Sequence, residues 1–342
     1  VTRGSLPRYI LARIGLIIPM MLVLLTLVFL LLRVAPGDPV SAAVGGKLDP
    51  AIIEARKEAL GLNRPLIVQY FEYLWQVARF DFGHTISDNR PILEIIRDNG
   101  GATLTLTIGA FLIALGIGIP LGLAAGRARD SIRDVVIRVF GVVTYAAPIF
   151  FVGLLMQMFI ARPLGLPTSG IANPRTQFTV ASKPATHILL FDALLQGNVP
   201  ALGDILVHHI LPCFTLGLLI CGVFIRLVRV NLLQTLQADY VEAARARGIP
   251  ERQVVRQHAF RNALVPVVTV VGLQAAMLLG GAVLTENTFN WPGLGTQLVH
   301  YIEARDYIGV QGLVTFFAVV VVLISLAVDI VNALIDPRVR YS

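Results

Sequence analysis

Between Arg13 and Arg33 the chain reads IGLIIPMMLVLLTLVFLLL, residues 14–32, with no charged side chain. A helix needs about 20 apolar residues to cross the ~30 Å hydrocarbon core of a bilayer, so this stretch predicts a transmembrane helix bounded by its two arginines. Five further apolar runs follow at 102–125, 135–161, 205–225, 263–285 and 307–328. The composition agrees. Of 342 residues 56% are hydrophobic and 14% charged, and the mean hydropathy is +0.74, whereas soluble domains carry about 25% charge. The expectation is an all-α integral membrane protein with six transmembrane helices.

Pro120 and Pro148 lie inside the second and third runs and Pro212 near the start of the fourth. Inside a membrane a neighbouring helix can satisfy the carbonyl that proline frees, so none is read as ending its span. Arg138 is placed at the hydrocarbon edge, and His208 and His209 at an interface. The first run exceeds the roughly 7–15-residue core of a secretory signal and lacks a small-residue cleavage site, so it is read as a retained anchor. Cys213 and Cys221 both fall in the fourth run and are read as buried thiols, with no disulfide framework outside.

Arginine sets the orientation, because Lys and Arg of short loops stay cytoplasmic. Arg3, Arg8 and Arg13 precede the first run, Arg127, Arg129 and Arg133 follow the second, and Arg338 and Arg340 follow the sixth. The loop after the fourth is the most basic, with Arg226, Arg229, Arg245, Arg247, Arg252, Arg256 and Arg261 against Asp239, Glu242 and Glu251. All are predicted inside, with both termini. The net charge of +7 is therefore an orientation signal. It does not form the single basic patch that nucleic acid would require, and no nucleic-acid partner is expected.

The chain then divides into an N-terminus with the first helix (1–33), an extracytoplasmic insertion (34–101) and a core (102–342) whose cytoplasmic loop is 226–262. In the insertion, Asp49 and Pro50 start a helix over 49–60 that Gly61 stops, and 64–80 reads as a second helix bearing Tyr70, Tyr73 and Trp75. These aromatics fit either a headgroup anchor or a partner contact. Segment 162–204, rich in Pro, Gly, Ser and Thr, predicts an extended loop. Segment 286–306 holds Asn290-Trp291-Pro292-Gly293-Leu294-Gly295, which is turn chemistry.

The cytoplasmic loop carries the function. In Ala238-Asp239-Tyr240-Val241-Glu242-Ala243-Ala244-Arg245-Ala246-Arg247-Gly248-Ile249-Pro250 the alanines favour helix, Asp239 suits its start, and Gly248 suits the left-handed residue that ends it. Such a helix outside the membrane fits a groove of another protein. A second helix over 251–264, with Pro250 at its entry, leads back to the fifth span.

Glu242-Ala243-Ala244 followed by Gly248 resembles the EAA loop of permease subunits of binding-protein-dependent ABC importers. The resemblance spans nearly the whole chain and narrows to the dipeptide, oligopeptide and nickel class. It rests on Arg33-Val34-Ala35-Pro36-Gly37-Asp38-Pro39, Leu60-Gly61-Leu62-Asn63-Arg64-Pro65-Leu66 with Gln69-Tyr70, His258 with Arg261-Asn262-Ala263, Glu286 with Phe289 to Gly295, and Asp336-Pro337-Arg338. Two departures stand out. Phe80-Asp81-Phe82-Gly83 replaces a Gly-Asp-Leu-Gly pattern, and Asn99-Gly100-Gly101 stands where a proline usually precedes Ala102-Thr103-Leu104.

The resemblance implies a second permease, two ATP-binding subunits holding ATP and magnesium, an external substrate-binding protein and the lipid of the cell membrane as partners, and no cofactor on this chain. It assigns ATPase coupling to Asp239, Tyr240, Glu242, Ala243, Ala244, Arg247 and Gly248, and gives the insertion to the first of the two permeases. Candidate docking residues for the external protein are Trp75 and Arg90, and candidate pathway residues are Thr144, Gln157, Thr269 and Gln274. The chain lacks the G-x-x-x-x-G-K-[ST] phosphate loop, so hydrolysis is expected on the partners and no catalytic residue is assigned. An ion-coupled carrier would keep ionisable groups at mid-span. Here Glu286 and Asp329 sit near span ends, and His187, His208, His209 and Cys213 match no compact metal site. Peptide is the first choice of cargo, with nickel and haem behind it.

Overall fold

The computed structural model describes residues 6–34, 40–41, 49–263 and 265–335. Outside them lie Arg3, the motif residues Ala35 to Pro39, and Asp336-Pro337-Arg338 with Arg340, as do the side chains of Arg8, Arg256, His258, Arg261, Asn262 and Thr269. The described residues are helical with no strand. The elements are α1 (Leu6–Val34), α2 (Pro50–Ala59), α3 (Leu66–Ala78), α4 (Ile92–Arg127), α5 (Ile132–Ala146), α6 (Ile149–Met156), α7 (Pro174–Ala181), α8 (Leu189–Leu195), α9 (Val199–Leu236), α10 (Asp239–Ala246), α11 (251–263), α12 (Val265–Thr288), α13 (Leu294–Glu303) and α14 (Tyr307–Ile335).

Among these, α1, α4, α9, α12 and α14 are each long and apolar enough to cross a membrane. The third expected span needs correction. It is a bent pair, Ile132–Ala146 and Ile149–Leu164, turned by 107°. Proline disfavours helical backbone in the residue before it, and Ala147 is extended at ψ 135. Pro120 and Pro212 lie within unbroken helices, as expected.

The core is the crossing of α4 and α9. Ala110, Ala114, Gly118, Gly122 and Gly126 recur every four residues along α4, all buried, and this small-residue stripe lets the two backbones close up. A Cβ added at Gly122 would lie 2.8 Å from the Ile225 carbonyl oxygen. Elsewhere Arg13 and Asp329 pair at 3.2 Å, joining α1 to α14. Asp329 is thus engaged in an ion pair at a helix end.

Segment 162–204 is not the extended loop expected from its composition. It contains α7, α8 and the first turns of α9. Buried Asp192 accepts from the backbone N–H of Ala185 (3.1 Å) and Thr186 (2.7 Å) and from Thr186 Oγ1 (2.8 Å), while Asp204 accepts from Asn173 N (2.9 Å) and Nδ2 (2.6 Å). Helices this short show too few turns for a period to emerge in the sequence.

In the insertion, Asp49 caps α2 by accepting from Ala51 N at 3.0 Å, and Gly61 takes the positive φ of a stop at +69°. The unit is fastened to the spans. Buried Asp306 accepts from Ile86 N (2.7 Å), Ser87 N (2.8 Å) and Ser87 Oγ (2.8 Å), and from Gly309 N (2.9 Å) in the first turn of α14. Phe80, where the resemblance implies a glycine, has φ 60°. Left-handed backbone costs a residue with a Cβ about 1–2 kcal/mol. Phe80 is exposed, so Phe80→Gly is expected to raise the thermal midpoint of the purified protein in detergent. A lower midpoint would show that the phenyl ring contributes more than the strain costs.

Candidate functional site

Helix α10 runs from Asp239 to Ala246 with Arg247 as its C-cap, followed by Gly248 at φ +77°. The turn is closed by Gly248 N to Arg245 O (2.9 Å) and Ile249 N to Ala244 O (3.3 Å), satisfying carbonyls the helix end leaves open. Val241 and Ala244 are its buried face, packed on Leu232 of α9 and on Val254, Val255 and Ala259 of α11. Tyr240, Glu242, Ala243 and Arg247 lie on the exposed face. The helix therefore has a floor belonging to its own chain and an exposed opposite face that carries small and charged groups.

The second helix of the loop differs from a uniform 251–264 helix. It begins as Glu251–Gln253, passes through a π turn at Val254–Ala259 and continues as Phe260–Ala263. Arg245 fastens the two helices, donating to Glu251 from Nε (3.0 Å) and Nη2 (2.8 Å) and to Leu236 O from Nη1 (3.3 Å). That guanidinium holds the Glu251 carboxyl below the usual glutamate range. The angle between α10 and its neighbours is thus fixed by a glycine turn and a two-pronged ion pair.

Where the loop joins the spans, Arg229 of α9 donates to Asp134 of α5 from Nε and Nη2, both at 2.7 Å. Asp134 is fully buried, and Arg138 approaches at 3.4 Å. The pair joins the bent third span to the helix that runs on into the coupling loop. A cavity of about 940 Å³ lies between α5, α9 and α12, with Arg138, Arg226, Arg229, Tyr145, Gln274 and Met277 in its wall.

Of the four pathway candidates, Thr144, Gln157 and Gln274 lie on different helical segments. Gln274 lines this cavity and is buried. Thr144 donates to Gly141 O of its own helix at 3.2 Å. Gln157 Nε2 donates to Thr168 O (3.0 Å) and Thr288 O (3.1 Å), bracing α6 against the end of α12. Thr269 is in α12, its side chain outside those described. Both bonds of Gln157 are made by its amide nitrogen to backbone carbonyls.

At the opposite end the sequence reading missed a network. Glu286 is fully buried and accepts from Thr103 Oγ1 (2.6 Å) and Thr296 N (3.1 Å). Thr103 Oγ1 in turn accepts from Leu294 N (2.8 Å), and Trp291 Nε1 donates to Ala102 O (3.0 Å). Glu286 thus caps α13 from another helix, where the helix N-terminus favours an acid. A lone acid ending an apolar run just before Trp-Pro-Gly-Leu-Gly was the available signal. His209 is buried within the protein at this end of the bundle. It is buried in α9, with Nε2 3.2 Å from Thr105 Oγ1 and its ring edge-on to Trp291 at 4.6 Å.

Trp75 and Arg90 lie on different elements. Trp75 is on the outer side of α3 with the Arg79 guanidinium 4.4 Å above its ring, and Arg90 precedes α4, 3.7 Å from Glu94 and 3.3 Å from Asp98.

The described residues form a bundle of membrane-length helices with a short folded helix, exposed on one face, in the connection between two of them. The chain belongs to the family of binding-protein-dependent transport system inner membrane components, whose model matches residues 118–341, with the N-terminal model of the same systems matching residues 6–107. It is 36% identical to the dipeptide transport system permease protein DppB of Escherichia coli (strain K12), over 98% of this chain and 99% of that protein. Identity is 37% to the di/tripeptide transport system permease protein DppB of Pseudomonas aeruginosa, over 97% and 98%. To the glutathione transport system permease protein GsiC of Salmonella choleraesuis it is 36%, over 97% and 99%. Among solved structures, a chain of the inward-facing MetNI methionine ABC transporter is 16% identical with a TM-score of 0.52, covering 72% of this chain and 98% of that one. That likeness concerns the fold.

Proposed function

We propose that the chain is one of two permeases in an ATP-driven importer of short peptides. The observation that carries this is α10, a helix whose buried face is filled by its own loop and whose exposed face is left for a partner. Asp239, Tyr240, Glu242, Ala243, Ala244, Arg247 and Gly248 form the coupling element. Two ATP-binding subunits engage it and its counterpart, hydrolysis belongs to them, and this chain performs no catalysis and holds no cofactor. Relatives named for dipeptide, di/tripeptide and glutathione transport support a peptide cargo. An external binding protein delivers it, and Arg90 belongs to the docking surface for that protein. Both termini and the loop 226–262 face the cytoplasm, as the arginine pattern requires.

ATP closing its subunits together carries α10 with them. The motion reaches the spans through Leu232 and the Arg229–Asp134 pair, exchanging inward-open for outward-open states by differential contacts. The test is reconstitution of the assembly in liposomes with its binding protein. Dipeptides are expected to stimulate ATP hydrolysis and accumulate inside, while nickel and haem do neither. Stimulation by nickel or haem and not by peptide would overturn the cargo. Outside labelling of Arg252→Cys, with Ser87→Cys protected, would overturn the orientation.

A further inference from the structure

Helix α3 has three sectors. One faces the protein: Tyr70 shares a 2.6 Å hydrogen bond with Thr26, Tyr70 and Tyr73 pack on Phe29 at 5.4 and 5.8 Å, and Tyr73 reaches Thr315 at 2.7 Å. A second sector, Gln69, Glu72 and Gln76, turns to a polar notch beside Arg33. The third, Ile67, Phe71 and Trp75, repeats every four residues and is 62%, 62% and 60% exposed.

The depth of the helix follows from its contacts. Thr26 and Phe29 belong to the apolar run that ends at Leu32, before Arg33, and at 1.5 Å per residue they lie about 9 Å and about 4 Å inside its end. A helix packed on those residues sits at the edge of the hydrocarbon. On the same stretch of α1 that α3 packs against, Leu27, Leu30 and Leu31 are also exposed, as on a spanning helix that turns a face to lipid. The charge also fits, since Arg79 over Trp75 presents a cation and an indole together, the pair enriched where acyl chains meet phosphates. A folded protein docking from water would have to enter the bilayer to cover Phe71.

We propose that α3 is an in-plane membrane anchor, with Ile67, Phe71 and Trp75 in the upper acyl region of the leaflet and Arg79 on lipid phosphate. This takes Trp75 out of the docking surface for the external protein and leaves Arg90 in it. The insertion is then held from two sides, by Asp306 on the protein and by α3 in lipid.

The experiment uses the assembled transporter in nanodiscs. The chain has two tryptophans and Trp291 is fully buried, so the difference between wild type and Trp75→Phe isolates the Trp75 emission. Phospholipid brominated high on its acyl chains is expected to abolish most of that difference signal, aqueous iodide to leave it, and added binding protein to leave it unchanged. A signal that survives the brominated lipid overturns the proposal, whether iodide quenches it, as for a water-exposed helix, or the binding protein shields it, as for a protein-docking face.

Discussion

Gly248→Val in the assembled transporter is expected to abolish peptide-stimulated ATP hydrolysis and uptake while the spans insert normally and the binding protein still captures ligand. Nothing lies within 4 Å of a Cβ built at Gly248, so the substitution creates no clash. Its cost is backbone conformation alone, about 1–2 kcal/mol, and more for a branched side chain. The cheapest relief is to unwind the turn, which breaks the hydrogen bonds from Gly248 and Ile249 and moves Arg245 away from Glu251. The docking face then meets its groove at the wrong angle. Gly248→Asn, which tolerates left-handed backbone, is expected to retain much of the activity. Glu242→Lys, on the exposed face, should weaken association with the ATP-binding subunits without altering the thermal midpoint of the permease. Wild-type transport by both Gly248→Val and Glu242→Lys would remove the coupling assignment.

The second large effect concerns Asp134. Removing its carboxylate leaves the Arg229 guanidinium, which lines the cavity and keeps some exposure, without its bidentate partner, at a cost below the ~3–5 kcal/mol of a fully buried pair. Asp134→Ala is therefore expected to melt well below wild type in detergent and to expose the joint between α5 and α9 to limited proteolysis. The double variant Asp134→Leu with Arg229→Met, which leaves only the half-exposed Arg138 without its carboxylate, is expected to recover most of that midpoint. If it does so yet transports poorly, the pair is needed to transmit motion as well as to hold the fold. An unchanged midpoint for Asp134→Ala would mean that water reaches the guanidinium.

The apolar runs, the arginine pattern and the short helix ending at Gly248 were legible in one dimension because each depends on local rules: the thickness of a bilayer, the side on which cations stay, the residue that tolerates positive φ. Those rules gave the membrane class, the positions of five spans and the short helix before Gly248. They did not give the bend at Pro148, because a proline inside an apolar run is compatible with a kinked span or a broken one until neighbouring helices are present to satisfy its freed carbonyl. Nor did they give the helices at 174–181 and 189–195, whose shape depends on Asp192 and Asp204 finding backbone donors. The partnerships of Asp134 with Arg229 and of Glu286 with Thr103 and Thr296, and the spent amide of Gln157, join residues far apart in sequence. A charge or an amide states only that it needs a partner. The packing of α4 on α9, and of α12 and α13 around them, decided which partner each received.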